Sequence, residues 1–185
     1  VPETGHGAST GDYHWGMVIV LDACIGCEYC MRACCAINDV NPDKPWNIVV
    51  PEQTSTGEPF YFSRPCLHCQ DAPCVEVCPV TPVKANKPNP RYGNVRMIDP
   101  GLCIGCKMCL TRCPYIPSRI QWNSELQKSQ KCDLCVDTPY LEEKGGPGGI
   151  QACVRVCPVN AIAFTTQMPI QDGDESYFVN LRGGA

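Results

Sequence analysis

Sixteen of the seventeen cysteines in this 185-residue chain fall into four groups of four. The first is Cys24, Cys27, Cys30 and Cys34, spaced C-x2-C-x2-C-x3-C. The second, Cys66, Cys69, Cys74 and Cys78, reads C-x2-C-x4-C-x3-C. The third, Cys103, Cys106, Cys109 and Cys113, repeats the spacing of the first. The fourth, Cys132, Cys135, Cys153 and Cys157, reads C-x2-C-x17-C-x3-C. Only Cys35 stands outside the pattern. Thiols in such number serve disulfides, zinc or iron–sulfur clusters.

Spacing separates the three. Cysteines three apart in one short loop are poor disulfide partners, and an odd total leaves one thiol unpaired. Zinc asks for two separated pairs of ligands. Groups one and three instead bunch three thiolates into seven residues and add a fourth after three more. That is the ferredoxin-type run, in which the fourth cysteine serves a neighbouring cluster. Such a loop wraps three corners of a cubane and turns backbone N–H groups toward its sulfides. The fourth thiolate, from a separate segment, closes the cage. Pro79, Pro114 and Pro158 follow the last cysteine of groups two, three and four. Proline carries no N–H in need of a partner and stops a short helix there. Sixteen ligands then make four [4Fe-4S] clusters, and exchanged fourth cysteines make two ferredoxin-like modules. Spacing leaves two pairings open. Groups one with two and three with four would be sequential; one with four and two with three would be nested.

The elements that must position these groups are short. Met17–Asp22 and Asn94–Asp99 read as strands before the regular groups, and Ala161–Thr165 as a strand after group four. All three are rich in β-branched or apolar residues beside turns. Short helices should carry the last two cysteines of each group, as in Cys30–Ile37 and Cys109–Cys113. Asn41–Pro45, Thr81–Pro90 and Gly145–Gly149 read as loops. The fold class is α+β, loop-rich, and residues 1–14 and 166–185 read as tails.

Composition agrees. Hydrophobic residues make up 44% with the cysteines included, and 18 prolines and 16 glycines resist regular structure. Without cysteine the apolar core is thin, so something other than oil must organise the chain. The formal net charge is −4, with 15 Lys+Arg against 19 Asp+Glu. That argues against a cationic nucleic-acid surface. The aliphatic run Met17–Leu21 is far short of a membrane span. The opening residues show no signal-peptide pattern. No C-x-x-C-H, G-x-G-x-x-G or P-loop motif occurs, so haem and nucleotide cofactors are not expected. No catalytic constellation stands out. Redox centres without substrate chemistry point to electron conduction inside a larger oxidoreductase. The rival readings are a free polyferredoxin shuttle and a zinc-stapled interaction module.

The phrases HWGMVIVLDACIGCEYC, CLHCQDAPC, DPGLCIGCKMC and KCDLC carry a resemblance. Over about residues 14–165 the chain resembles the electron-transfer subunits of the dimethyl-sulfoxide-reductase iron–sulfur family. The resemblance implies nested pairing, with modules at 15–45 plus 125–165 and at 55–124. It implies that Cys24, Cys27 and Cys30 take Cys157 as fourth ligand, and that Cys132, Cys135 and Cys153 take Cys34. It joins Cys66, Cys69 and Cys74 with Cys113, and Cys103, Cys106 and Cys109 with Cys78. Some members lack the second cysteine of the third group and hold a three-iron cluster; here that position is Cys106, so four irons are expected. The implied partner is a larger molybdenum or tungsten pterin subunit, with the tails docked on it and the module of groups one and four facing its active site. A further redox partner would sit at the outer end. The stretch Ile116–Gln127 departs from the family phrases. Oxygen-sensitive clusters favour the cytoplasm, with export alongside a partner to the periplasm as the alternative.

Several residues invite a larger role than they need. Cys35 reads as a buried free thiol. His68 reads as a packing or hydrogen-bonding residue, since the clusters already have thiolates enough. Packing alone accounts for Tyr115, Trp122 and Trp15. Lys131, Lys107, Arg32, Arg112 and Arg155 flank the ligand groups. Four clusters with thiolate ligands add about −8 of formal charge, which nearby cations offset.

Overall fold

The structure is a computed structural model, and it describes residues 16–54, 56–69, 71–138, 145–146 and 149–165. Strand β1 (Gly16–Ile19) pairs antiparallel with β8 (Ile162–Thr165), Ile19 opposite Ile162. The Val20 N–H reaches the Ala161 carbonyl at 2.8 Å and ends the ladder. The apolar pattern alone extends this strand to Asp22. Beyond Val20 no partner strand remains, so Leu21–Ala23 curls into a 3-10 turn that delivers Cys24 to its loop.

Helix α1 (Tyr29–Asn38) follows and buries Cys30, Cys34 and Cys35. It ends at Asp39, whose backbone is left-handed. Strands β2 (Val49–Gln53) and β3 (Pro59–Ser63) form a hairpin that the sequence pattern does not announce. Its turn is tied by Thr54 Oγ1, which accepts from the backbone N–H groups of Thr56 and Glu58.

Helix α2 (Pro73–Glu76) opens on proline, which suits the first helical position because its missing N–H would be unpaired anyway. Strand β4 (Asn86–Asn89) pairs with β5 (Val95–Ile98) across the 3-10 turn Pro90–Tyr92. This corrects the expectation that Thr81–Pro90 is all loop. Pro88 lies opposite Arg96, and a two-stranded ribbon tolerates proline where the missing N–H would face outward. Helix α3 (Met108–Arg112) precedes a second unforeseen hairpin, β6 (Gln121–Asn123) and β7 (Lys128–Gln130). Helix α4 (Ala152–Arg155) is last. Helices α1 and α3 lie within a residue of the expected Cys30–Ile37 and Cys109–Cys113, but three of the four helices stop before the last cysteine of their group. Cys78, Cys113 and Cys157 fall just past the ends of α2, α3 and α4, and only Cys34 lies within its helix.

α1 packs on α4, and α2 packs on α3. With β1–β8, these contacts bring the segments of groups one and four together, and those of groups two and three together. Among the described residues the buried hydrophobics are cysteine, alanine, valine, isoleucine and leucine, with no aromatic ring. Cysteine is the most frequent of them. The core is therefore built around thiols, as the composition required. The tails, Trp15 and part of 145–149 lie outside the described residues, and no described helix is long and apolar enough to cross a membrane.

Candidate iron–sulfur sites

The two regular groups share one loop conformation. Gly26 and Gly105 have φ of +68° and +74°, and Glu28 and Lys107, each just after the second cysteine, have φ of 61° and 62°. Each glycine is covered by a hairpin. A Cβ on Gly26 would stand 2.5 Å from the Tyr61 ring of β3, and one on Gly105 would stand 3.3 Å from the Trp122 ring of β6. Glycine is required here by both backbone and space. The unforeseen hairpins thus roof the two regular loops. Lys107 also stacks on Trp122, its Nζ 4.0 Å from the ring centroid.

The thiols gather in quartets that mix groups. Cys34, Cys132, Cys135 and Cys153 line one small cavity. Cys78, Cys103, Cys106 and Cys109 line another. Cys69 and Cys74 both lie within electrostatic reach of Cys66 and Cys113. Cys30 feels Cys24 and Cys27, while Cys157 packs against the buried cluster of Cys30, Cys153 and Ile162. Neighbouring quartets touch in turn: Cys30 with Cys153 in that cluster, and Cys66 against the cluster that contains Cys132. Cys106 is exposed.

Backbone N–H groups already point at sulfur. His68 and Leu134 donate to Cys66 and Cys132 Sγ at 3.5 and 3.4 Å. Arg119 and Ala161 donate to Cys113 and Cys157 Sγ at 3.3 and 3.2 Å. The first cysteines of groups two and four are served alike, each by the N–H two residues on. Asn38 Nδ2 stands 3.7 Å from Cys34 Sγ.

Burial pushes the Cys30, Cys74 and Cys135 thiols up to about 11. Burial, then the neighbouring thiols, drives Cys34, Cys132 and Cys153 well above the ordinary value. Cys78 differs. Burial pushes it up, but N–H groups of Asn86, Val80 and Ala85 and the Lys84 ammonium outweigh that and leave it below the ordinary value. Thiols so placed ionise when a metal displaces their protons.

The donor set fits the four-iron group. All seventeen cysteines are free of disulfides. Among the described residues no three Cys, His, Asp or Glu converge on a point that would hold a single ion. A cubane spreads its four thiolates around a cage, wider than the reach of a tetrahedral zinc with sulfurs at about 2.3 Å.

Residues outside the cysteines sort as follows. Cys35 is buried, and burial raises its thiol. His68 is buried and its Nδ1 accepts from the Arg96 backbone N–H at 3.1 Å, a structural bond. Lys131 is buried and donates to the carbonyls of Arg96 and Cys132. Arg32, Lys107, Arg112 and Arg155 are exposed. Tyr115 Oη stands 4.0 Å from Cys69 Sγ. Sequence reasoning missed Asn38, Tyr61, Asn86 and Arg119; Asn38 stands one helical turn from Cys34, whereas Tyr61 and Asn86 reach the ligand loops only through the fold.

Comparison with known proteins defines the class. The family model described as a 4Fe-4S dicluster domain matches residues 58–167, and the chain belongs to that family. It is an iron–sulfur protein that binds 4Fe-4S clusters. Among its relatives, the thiosulfate reductase electron transfer subunit PhsB of Salmonella typhi is 37% identical over 147 residues, covering 76% of this chain and 70% of PhsB. The menaquinone reductase iron-sulfur cluster-binding subunit of Nitratidesulfovibrio vulgaris is 40% identical over 121 residues, covering 58% of this chain and 46% of the relative. Hydrogenase-2 operon protein HybA of Escherichia coli O157:H7 is 32% identical over 175 residues, covering 82% of this chain. The chain spans about half of HybA, 52% of its length.

Proposed function

We propose that this chain is the electron-conducting subunit of a larger oxidoreductase and carries four [4Fe-4S] clusters. Cys24, Cys27, Cys30 and Cys157 hold the first. Cys132, Cys135, Cys153 and Cys34 hold the second. Cys66, Cys69, Cys74 and Cys113 hold the third, and Cys103, Cys106, Cys109 and Cys78 the fourth. They lie in two ferredoxin-like modules, 15–45 plus 125–165 and 55–124. The observation that carries this reading is the gathering of Cys34 with Cys132, Cys135 and Cys153 around one cavity, across about a hundred residues of sequence.

Bound clusters each exchange one electron. The chain's own part is to hold each at fixed distance from the next, donate N–H groups to the thiolates and keep water from the buried ones. The first quartet adjoins the second and the second adjoins the third, and the packing of α2 on α3 carries the third to the fourth, so the line runs from the group-one loop to exposed Cys106. A larger molybdenum or tungsten pterin subunit at the first end and an external donor or acceptor at the second complete the circuit. The family resemblance supports that metal. The relatives are named for a thiosulfate reductase, a menaquinone reductase and a hydrogenase-2 operon, so the partner, not this chain, sets the substrate. The compartment we propose is the cytoplasm.

Anaerobic purification of the native protein tests this. A complex holding molybdenum or tungsten, with about sixteen irons on this subunit, is expected. A lone chain of 20.3 kDa that carries electrons between two unrelated enzymes would favour the shuttle instead.

A further inference from the structure

Arg119 is unaccounted for by the sites above. It is 6% exposed and follows Cys113 by six residues, inside the stretch that departs from the family phrases. Its guanidinium lies 5.4 Å from the centroid of the Tyr115 ring, and Tyr115 Oη in turn lies 4.0 Å from Cys69 Sγ. Its Nε and Nη1 are buried and have no hydrogen-bond partner. No carboxylate pairs with it among the described residues. Buried donors are normally satisfied, and a buried cation without a counter-charge is costly. A second guanidinium sharpens the problem: Arg64 is close enough to repel Arg119. Arg64 is itself held by Glu52 and by the Ile116 carbonyl. Arg119 has no such anchor. Its own backbone N–H reaches Cys113 Sγ at 3.3 Å, and the Cys113 and Cys66 thiols and the Tyr115 hydroxyl are the groups whose ionised forms would favour its cation.

The geometry points to Arg119 as a positioning residue that donates its unpaired N–H groups to the cluster held by Cys66, Cys69, Cys74 and Cys113 and raises that cluster's reduction potential. This rests on the ligand set proposed above. Reduction adds one electron to a centre that is already anionic. A fixed guanidinium beside it stabilises the reduced form more than the oxidised one, and burial limits the screening of that field. Hydrogen bonds to cluster sulfur act in the same direction. The guanidinium keeps its proton throughout, so no proton accompanies the electron. Tyr115, stacked beside the guanidinium and close to Cys69, fixes its direction.

The test is EPR-monitored redox titration of the intact complex, anaerobically, with iron analysis. Arg119→Met is expected to move one of four midpoints to lower potential with full iron retained, the others shifting less. Arg119→Lys should recover part of that shift, since it keeps the charge but not the planar fork. The affected signal must be the one that Cys69→Ser and Cys113→Ser perturb. An unchanged midpoint with iron intact would overturn the inference, as would a shift in a different signal. Should the Met variant lose iron, the Lys variant decides: a lowered midpoint supports the role and a native midpoint refutes it. If Cys69→Ser and Cys113→Ser perturb two different clusters, the ligand set itself fails and the inference falls with it.

Discussion

Replacing Gly105 with alanine probes how tightly the regular loops are built. An added Cβ would stand 2.5 Å from the Gln127 carbonyl oxygen. The left-handed backbone costs an L-residue about 1–2 kcal/mol. Overlap with a backbone atom is not relieved by rotating a side chain, and overpacking adds about 1–3 kcal/mol. The sum is about 2–5 kcal/mol. Gly57 is the control: its φ is +88° with nothing within 4 Å of the added atom, so only about 1–2 kcal/mol is lost. Gly26 falls between. Its Cβ would meet the Tyr61 ring at 2.5 Å, but that ring is 39% exposed and can swing outward. In a domain of this size 1 kcal/mol moves Tm by roughly 2–4 °C. Gly105→Ala should then lower it by roughly 4–20 °C and Gly57→Ala by roughly 2–8 °C. Thermal bleaching of the cluster absorption, anaerobic and at one scan rate, reads the order, since such unfolding is irreversible. If Gly57→Ala bleaches as early as Gly105→Ala, or Gly26→Ala earlier than both, the packing argument is wrong.

Replacing Cys157 with serine should alter the EPR signal of the cluster held by Cys24, Cys27 and Cys30 and spare the one held by Cys103, Cys106 and Cys109; the opposite result rejects nested pairing. Replacing Cys35 with serine should leave the iron content unchanged, and loss of iron in that variant would show Cys35 to be a ligand. Cluster retention should weaken as pH falls. The Cys30, Cys74 and Cys135 thiols hold their protons to about 11 in the folded chain without iron and to 9.0 when unperturbed. The loaded state holds thiolates and binds fewer protons than either, so acid favours the unloaded state. Cluster loss to a chelator followed between pH 6 and 9 checks this, and a rate that rises with pH would refute it.

Local chemistry was legible in the sequence because it is a matter of spacing. Three thiols within seven residues can only be neighbours, so the iron–sulfur reading needed no tertiary information. The strands β1, β5 and β8 and the helices α1 and α3 followed from short-range pattern, to within a residue or three at their ends. The glycine of each C-I-G-C loop was visible too, but not the reason for it, which lies in Tyr61 and Trp122 arriving from distant hairpins. The two hairpins escaped notice because their few residues carry a weak alternation interrupted by polar positions. Strand β4 escaped because its proline reads as a breaker, while a ribbon of two strands has an unpaired outer side that accepts it. Group pairing lay beyond spacing altogether. Either pairing satisfies the local motifs, and only long-range contacts, β1 on β8 and α1 on α4, bring Cys34 to Cys153. Arg119 shows the same limit: six residues beyond a ligand it looks like any surface arginine, and only burial without a partner marks it. A motif records which atoms bind. Which clusters neighbour one another, and which charges face them, depends on contacts between residues far apart in the chain.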